Sequence, residues 1–280
     1  MVGNRNKLQQ KLAYDMYWAE YGQVVSRTHL MVKPYSIDIW KDQCKDKEIL
    51  DLGCGNGYLL EQIADTGFRR YLGIDISEKM IEENRKRFSG LERVEFRADD
   101  AEALNTVRDD SLDMVISNGC LHHLKEPEVA VAASYRVLRP GGTFLGLEMN
   151  RQHPENSFLS VWSTLLGVHL MFLQTPARRI VRYLENLVKK QDPIAVAYSN
   201  QHPGHPGKRT PNEYRLMFEK AGYASAKIES LYLELLPYSL YKRSLLLFRL
   251  VVKYSKIVCA NRLKGIKDVG NLLLIEAHKR

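Results

Sequence analysis

The chain has 280 residues, 45% hydrophobic and 26% charged, a balance that suits a folded globular protein and argues against disorder. Its formal charge of +8 is uneven: residues 46–150 hold 13 Lys and Arg against 20 Asp and Glu, leaving 28 against 13 elsewhere. Cys44, Cys54, Cys120 and Cys259 share no C-x-x-C spacing, so neither a disulfide framework nor a cysteine-held metal is expected.

MVGNRNKLQQKL opens the chain as a polar, amphipathic stretch with no secretory character, and a cytoplasmic setting is the default expectation. Residues 5–43 read as helical and carry Tyr14, Tyr17, Trp18, Tyr21, Tyr35 and Trp40. From residue 48 short apolar runs alternate with charged helical stretches. Strands are expected at 48–53, 71–76, 94–99, 112–118 and 143–149. Helices are expected at 57–66, 77–89, 102–106 and 126–138, with the breaker cluster RPGG at 139–142 before the fifth strand. This alternation predicts βαβ units and a parallel sheet.

Beyond residue 150 the strand–helix alternation stops. A long apolar stretch, a basic helix (177–190) and the loop HPGHPGKRTP precede a helix that Thr210 or Asn212 caps and Gly222 closes. A strand at 226–236, an apolar and basic helix at 238–258 and the strand-like GNLLLIEAHK follow. The segmentation read from the sequence is a helical cap (1–45), a core (46–150) and a helical insertion (151–209). It continues with a helix and strand of the core (210–236), a second insertion (237–268) and a final core strand (269–280).

The densest chemistry lies in Glu48-Ile-Leu-Asp-Leu-Gly-Cys-Gly-Asn-Gly57, an apolar strand running into Gly53, Gly55 and Gly57 and then a helix. Glycine permits the sharp turn and the close approach of a ligand, and the helix start offers unpaired N–H groups. A dinucleotide fingerprint needs a glycine at 58, where this chain has Tyr58. Asp51 just before the turn would repel a pyrophosphate and attract a cation. A ligand bearing an ammonium and a sulfonium, S-adenosylmethionine, fits that chemistry better than a nicotinamide dinucleotide. Asp75 and Ile76 end the second strand, where a carboxylate binds both ribose hydroxyls. Asp99, Asp100 and Ala101 end the third, where one carboxylate can take the adenine amino group. Ser117 and Asn118 end the fourth, followed by Gly-Cys-Leu-His122-His123-Leu.

Taken together, DLGCGNG, GIDIS, ADDAEAL, SLDMVISNGCLHHL and YRVLRPGG resemble, in order, the motifs of class I SAM-dependent methyltransferases of the type 11 family over residues 48–150. The resemblance implies a Rossmann-like α/β core with a seven-stranded mixed sheet whose last strand is antiparallel, here carrying helical lid insertions. It implies a cofactor set of Asp51, Gly53, Gly55, Asp75, Ile76, Asp100, Ala101 and Asn118, and Cys54 and Gly57 of the same glycine turn are added as cofactor-binding candidates. Asp51 has the competing role of capping the loop, Asp75 of capping the helix behind it, and Asp99 competes with Asp100 for the adenine. Cys54 reads as a packing residue that offers its backbone.

Methyl transfer from a sulfonium is a displacement in which positioning dominates, and a base is needed only for a poor nucleophile. His122 and His123 follow the fourth strand, beside the expected methyl, and are the catalytic candidates; the competing reading makes them structural. Similar ubiquinone-pathway O-methyltransferases place acids in this segment for a metal, but Gly119 and His122 stand there in this chain, so no metal is expected. His202 and His205 are read as loop residues.

Residues 156–177 contain no formally charged side chain but are diluted by Asn156, Ser157, Ser160, Ser163, Thr164, Gln174 and Pro176, which favours a buried lid helix over a membrane span. Lys242, Arg249, Lys253 and Lys256 share one helical face, as in helices that lie on anionic lipid. The expected acceptor is a small hydrophobic molecule, lipid-, quinone- or natural-product-like, with an anionic group a further option and peripheral membrane contact in view. The alternatives are tRNA or rRNA methylation using the basic flanks, against which no RNA-binding module is recognisable, and a non-catalytic SAM-binding protein.

Overall fold

The computed structural model describes residues 40–151, 206–231, 250 and 272–280. The N-terminal cap to residue 39, the stretch 156–177, His202, His205 and the basic face from Lys242 to Lys256 lie outside the described residues.

Four parallel strands follow the predicted runs: β1 (Glu48–Leu52), β2 (Arg70–Asp75), β3 (Val94–Ala98) and β4 (Leu112–Asn118). They are nearly continuous in apolar residues because both sheet faces are covered. Ile49, Tyr71, Met114 and Ile116 belong to one core with Leu59 and Ile63 of α1 (Tyr58–Ile63). Leu50, Leu72, Val115 and Phe144 belong to the other, with Ala130 and Val137 of α3 (Pro127–Val137) and Tyr214 and Phe218 of α4 (Pro211–Ala221).

The complete sheet has seven strands in the order β3-β2-β1-β4-β5-β7-β6, adding β5 (Leu138–Met149), β6 (Ser225–Leu231) and β7 (Leu272–His278). β7 runs antiparallel to both neighbours, with Thr143 and Ser225 each opposite His278. The predicted mixed sheet with a reversed last strand is therefore observed. Because β2 and β3 extend one way from β1 and β4 the other, a crevice opens above the carboxyl ends of β1 and β4, where open α/β sheets bind ligands.

Helix starts follow local chemistry. The Ser77 hydroxyl accepts the Met80 N–H at the start of α2 (Glu78–Arg87), which settles the capping there in favour of Ser77 over Asp75. Thr210, not Asn212, caps α4 through a capping box with Glu213, and Gly222 closes it at φ +100°.

Two expectations fail locally. Residues 102–106 form turns rather than a short helix, because the Asp99 carboxylate accepts the backbone N–H groups of Asp100, Asn105 and Thr106 and the Thr106 hydroxyl. A side chain that gathers several N–H groups leaves a short segment no reason to build a helical ladder. RPGG does not separate helix from strand. It is an excursion inside β5, whose Leu138 already pairs with Leu112 before Thr143 pairs with Met114. Gly141 takes φ +77° there, and Gly141 and Gly142 exchange backbone hydrogen bonds with Lys279.

Candidate active site

The first strand tip is stitched to the second. The Asp75 carboxylate accepts the Gly55 N–H at 3.0 Å and the Ser77 N–H at 2.9 Å, while the Cys54 N–H reaches the Ile74 carbonyl at 2.8 Å. A carboxylate oxygen has two lone pairs, so accepting a backbone N–H is compatible with accepting a ligand hydroxyl as well. Ile76 lies half-buried in the bend that follows.

Asp51 was expected in the loop mouth. It lies instead within β1, only 2% exposed, and accepts the Tyr71 hydroxyl at 2.5 Å. Strand alternation turns its side chain into the protein. Burial and the Asp51 charge push the Tyr71 phenol well above its ordinary range, so Tyr71 remains a neutral donor. Asp51 therefore contributes charge beneath the loop.

The three glycines have different tasks. A methyl group on Gly53 would lie 2.6 Å from Cys120 Sγ, and one on Gly57 would lie 2.6 Å from the Phe88 ring, so both serve packing. Gly55, at φ +49°, faces open space: a methyl group added there would meet no atom of the described residues within 4 Å, and it alone of the three offers a cradle. Gly53→Ala is thus expected to destabilise the fold by about 2 kcal/mol through clash and strained backbone. Gly55→Ala is expected to cost the fold only about 1 kcal/mol yet to weaken cofactor binding at least tenfold, about 1.4 kcal/mol. Thermal unfolding set beside calorimetry with S-adenosylhomocysteine separates the two outcomes.

Cys54 is buried and its thiol is pushed well up by burial and by Asp75 and Asp51, which makes it a packing residue as expected. At the third tip the two neighbouring aspartates are used differently. Asp99 is committed to the turn, whereas Asp100 accepts the Glu102 N–H through one oxygen, and Ala101 is buried behind it. At the fourth tip Asn118 is 8% exposed, and its Oδ1 is buried with no hydrogen bond among the described residues. An orphaned buried acceptor at a strand tip calls for a ligand donor.

The 3-10 turn Leu121–His123 follows. Beneath it lies a residue that the sequence pattern did not single out. Glu148, near the carboxyl end of β5 and 1% exposed, accepts the Ser117 hydroxyl at 2.6 Å, the Leu121 and His122 N–H groups at 3.1 Å each, and bonds His122 Nδ1 at 2.7 Å. Burial drives its carboxyl up to about 7 against the pull of these donors. The available signal was a lone carboxylate in the apolar run TFLGLEM, a fifth polar strand tip after four others. The His122 and His123 rings lie 4.1 Å apart, so the structure brings both candidates to the same turn, and it is His122 whose ring bonds Glu148. No group of His, Cys, Asp and Glu suited to a metal occurs among the described residues.

Comparison with known proteins meets this geometry. Residues 50–146 match the family model described as a methyltransferase domain. The core of this chain belongs to the class I S-adenosylmethionine-dependent methyltransferases. The methyltransferase core is similar to a probable S-adenosylmethionine-dependent methyltransferase of Mycolicibacterium smegmatis, 36% identical over 140 residues, which are 50% of this chain and 48% of that protein. It is also similar to the ubiquinone biosynthesis O-methyltransferase of Methylococcus capsulatus, 38% identical over 107 residues, 38% of this chain and 44% of the relative. The chain thus spans about half the length of the curated relatives it matches. Its fold resembles a chain from the Haloferax volcanii complex between the Trm112 methyltransferase activator and a methyltransferase, with TM-score 0.59 and 19% identity over 95% of this chain and 98% of that one.

The cofactor of this family, S-adenosylmethionine, fits the residues present. Asp75 supplies acceptors, Gly55 supplies an open backbone cradle, and Asn118 Oδ1 is an acceptor that no described residue satisfies. Among the described residues no helix is long and apolar enough to cross a membrane.

Proposed function

We propose that this chain transfers a methyl group from S-adenosylmethionine to a small, hydrophobic acceptor. The observation that carries the reading is the convergence of the Asp75 carboxylate, the open Gly55 cradle and the orphaned Asn118 Oδ1 on adjacent strand tips around the sheet's switch point. In this reading Asp75 holds the ribose, Gly55 and Cys54 offer backbone to the amino-acid end, Asp100 and Ala101 flank the adenine, and Asn118 receives a donor. Buried Asp51 and the acidic balance of residues 46–150 favour a cationic ligand.

When bound, S-adenosylmethionine supplies an electrophilic methyl group on a positively charged sulfur. The chain's own part is to hold the two partners in line, to exclude water and to receive a proton where the acceptor carries one. His122 is the residue we assign to that last task, since it is fixed on a turn directly after the fourth strand tip. A small hydrophobic acceptor is supported by the uncharged stretch 156–177 and by the ubiquinone biosynthesis enzymes among the relatives. The charge outside residues 46–150, 28 basic against 13 acidic, supports RNA as a second acceptor class.

The test is calorimetry with S-adenosylhomocysteine, followed by tritiated methyl transfer to an organic-soluble extract and to bulk tRNA. Binding in the micromolar range with label in the organic phase is expected. No heat from the nucleoside would end the methyltransferase reading, and label confined to tRNA would replace the small acceptor with RNA.

A further inference from the structure

Resting on the methyltransferase reading above, we propose that Asn84 and Arg87 of α2 are positioning residues for the amino-acid end of S-adenosylmethionine. They hold consecutive carbonyls of the glycine turn and so set how well the chain distinguishes the whole cofactor from its adenosine half. α2 turns Met80, Ile81 and Asn84 inward. The first two are buried apolar side chains, as the helical period requires, but the third inward place is filled by an amide that is 2% exposed. Asparagine is a weak helix former, and a buried amide is costly unless it is hydrogen-bonded, so this place calls for a polar partner.

That partner is the turn from Gly53 to Gly57. Asn84 Nδ2 donates to the Gly55 carbonyl at 2.7 Å and lies 3.8 Å from Cys54 Sγ. One helical turn further on, Arg87 donates to the Asn56 carbonyl at 3.0 Å and pairs with Glu61 of α1. The Gly55 N–H is held by Asp75, and the Gly57 N–H donates to the Cys54 carbonyl at 2.9 Å. The peptide groups on both sides of the Gly55 Cα are thus tied, the one before it to β2 and the one after it to α2. The Phe88 ring, which leaves no room for a methyl group on Gly57, closes the same contact.

Glycine has the widest choice of backbone conformations, so the cost of ordering an untied glycine turn would fall on ligand binding. Two donors from one helix remove that cost before the ligand arrives. α2 is itself fixed without them: Ser77 caps its start, and Arg85 gives Nε and Nη2 to the Phe96 carbonyl on β3 at 3.0 and 2.7 Å. Loss of Asn84 or Arg87 therefore loosens the turn rather than the helix. Asp75 and Asp100, assigned above to the ribose and the adenine, keep their own hydrogen bonds to the Ser77 and Glu102 N–H groups. The effect falls on the part of the ligand that lies over Gly55.

The experiment uses the full chain and two probes, S-adenosylhomocysteine and methylthioadenosine, the second of which lacks the amino-acid end. Calorimetry gives both dissociation constants for the wild type, Asn84→Leu and Arg87→Met. Asn84→Leu is expected to bind S-adenosylhomocysteine about tenfold more weakly, or about 1.4 kcal/mol. It should bind methylthioadenosine less than about threefold more weakly, under about 0.7 kcal/mol, so that the preference for the longer ligand falls. Arg87→Met is expected to lose about threefold on the first probe and nothing measurable on the second. Because Arg87 is exposed, this variant keeps the test open even if Asn84→Leu does not fold. A merely structural role would weaken both probes alike. Equal losses for the two probes, or an unchanged preference in every variant that folds, overturn the proposal. Absence of S-adenosylhomocysteine binding in the wild type would instead remove the cofactor reading on which it stands.

Discussion

Asp75→Ala is expected to weaken binding of S-adenosylhomocysteine by on the order of 10²- to 10⁴-fold, since two hydrogen bonds to a charged acceptor are worth about 1.5–3 kcal/mol each. The loss has two sources that the structure separates. One is direct contact with the ligand's hydroxyls. The other is the Gly55 N–H, which Asp75 holds at 3.0 Å and without which the cradle is no longer anchored to β2. Asp75→Asn keeps the shape but presents an NH2 group to at least one of the two backbone donors, Gly55 N–H or Ser77 N–H, and should lose nearly as much. Calorimetry supplies the affinity, and circular dichroism verifies that the sheet survives. A dissociation constant within about threefold of wild type, under 0.7 kcal/mol, would remove Asp75 from the site.

The second large effect is on stability. The Glu148 carboxyl rises from 4.5 to about 7 in the folded protein, so the folded state holds this proton more tightly than the unfolded chain does. Its contribution is then fully present below about pH 4.5 and is lost as pH rises to about 7, by an amount on the order of 3 kcal/mol. The variant Glu148→Gln has no proton to lose at this position. Urea midpoints of the two proteins are therefore expected to converge or cross by about 1 M between pH 4.5 and 7.5, with the wild type losing ground. A midpoint difference that is flat across this window would mean that the carboxyl is already ionised at the lower end.

The two effects bear on different parts of the core. Asp75 acts at the strand tip where a ligand would sit, and because its loss also strips the Gly55 and Ser77 N–H groups of their acceptor, the unfolding midpoint should fall as well as the affinity. Glu148 lies under the histidine turn, and its loss should be felt in the fold and in the ring it holds. A protein in which both substitutions altered only stability would bind no nucleoside at these tips.

How far the sequence speaks depends on the range of the interaction concerned. Strand tips were legible because each is set by neighbours in the chain: an apolar run, then a polar or glycine residue, at Gly53, Asp75, Asp100 and Asn118. Thr210 with Glu213 and the closing Gly222 were legible for the same reason, three residues being the span of a helix cap. The three glycines looked equivalent in DLGCGNG and are not, since Gly53 and Gly57 make room for Cys120 and Phe88, residues far away in sequence. Asp51 misled because its partner, Tyr71, comes from the next strand.

Sequence by itself determined the layered parallel sheet, the glycine turn and the acidic tips, all products of local period and composition, while the reversal of the last strand was implied only by the family resemblance. Only the tertiary structure decided which glycine opens to a ligand, which aspartate is spent on its own turn, and that Glu148 takes hold of His122 across 26 residues. The reason is physical: burial and cross-strand hydrogen bonds, which set side-chain roles and the Glu148 proton alike, exist only once β4 and β5 lie side by side.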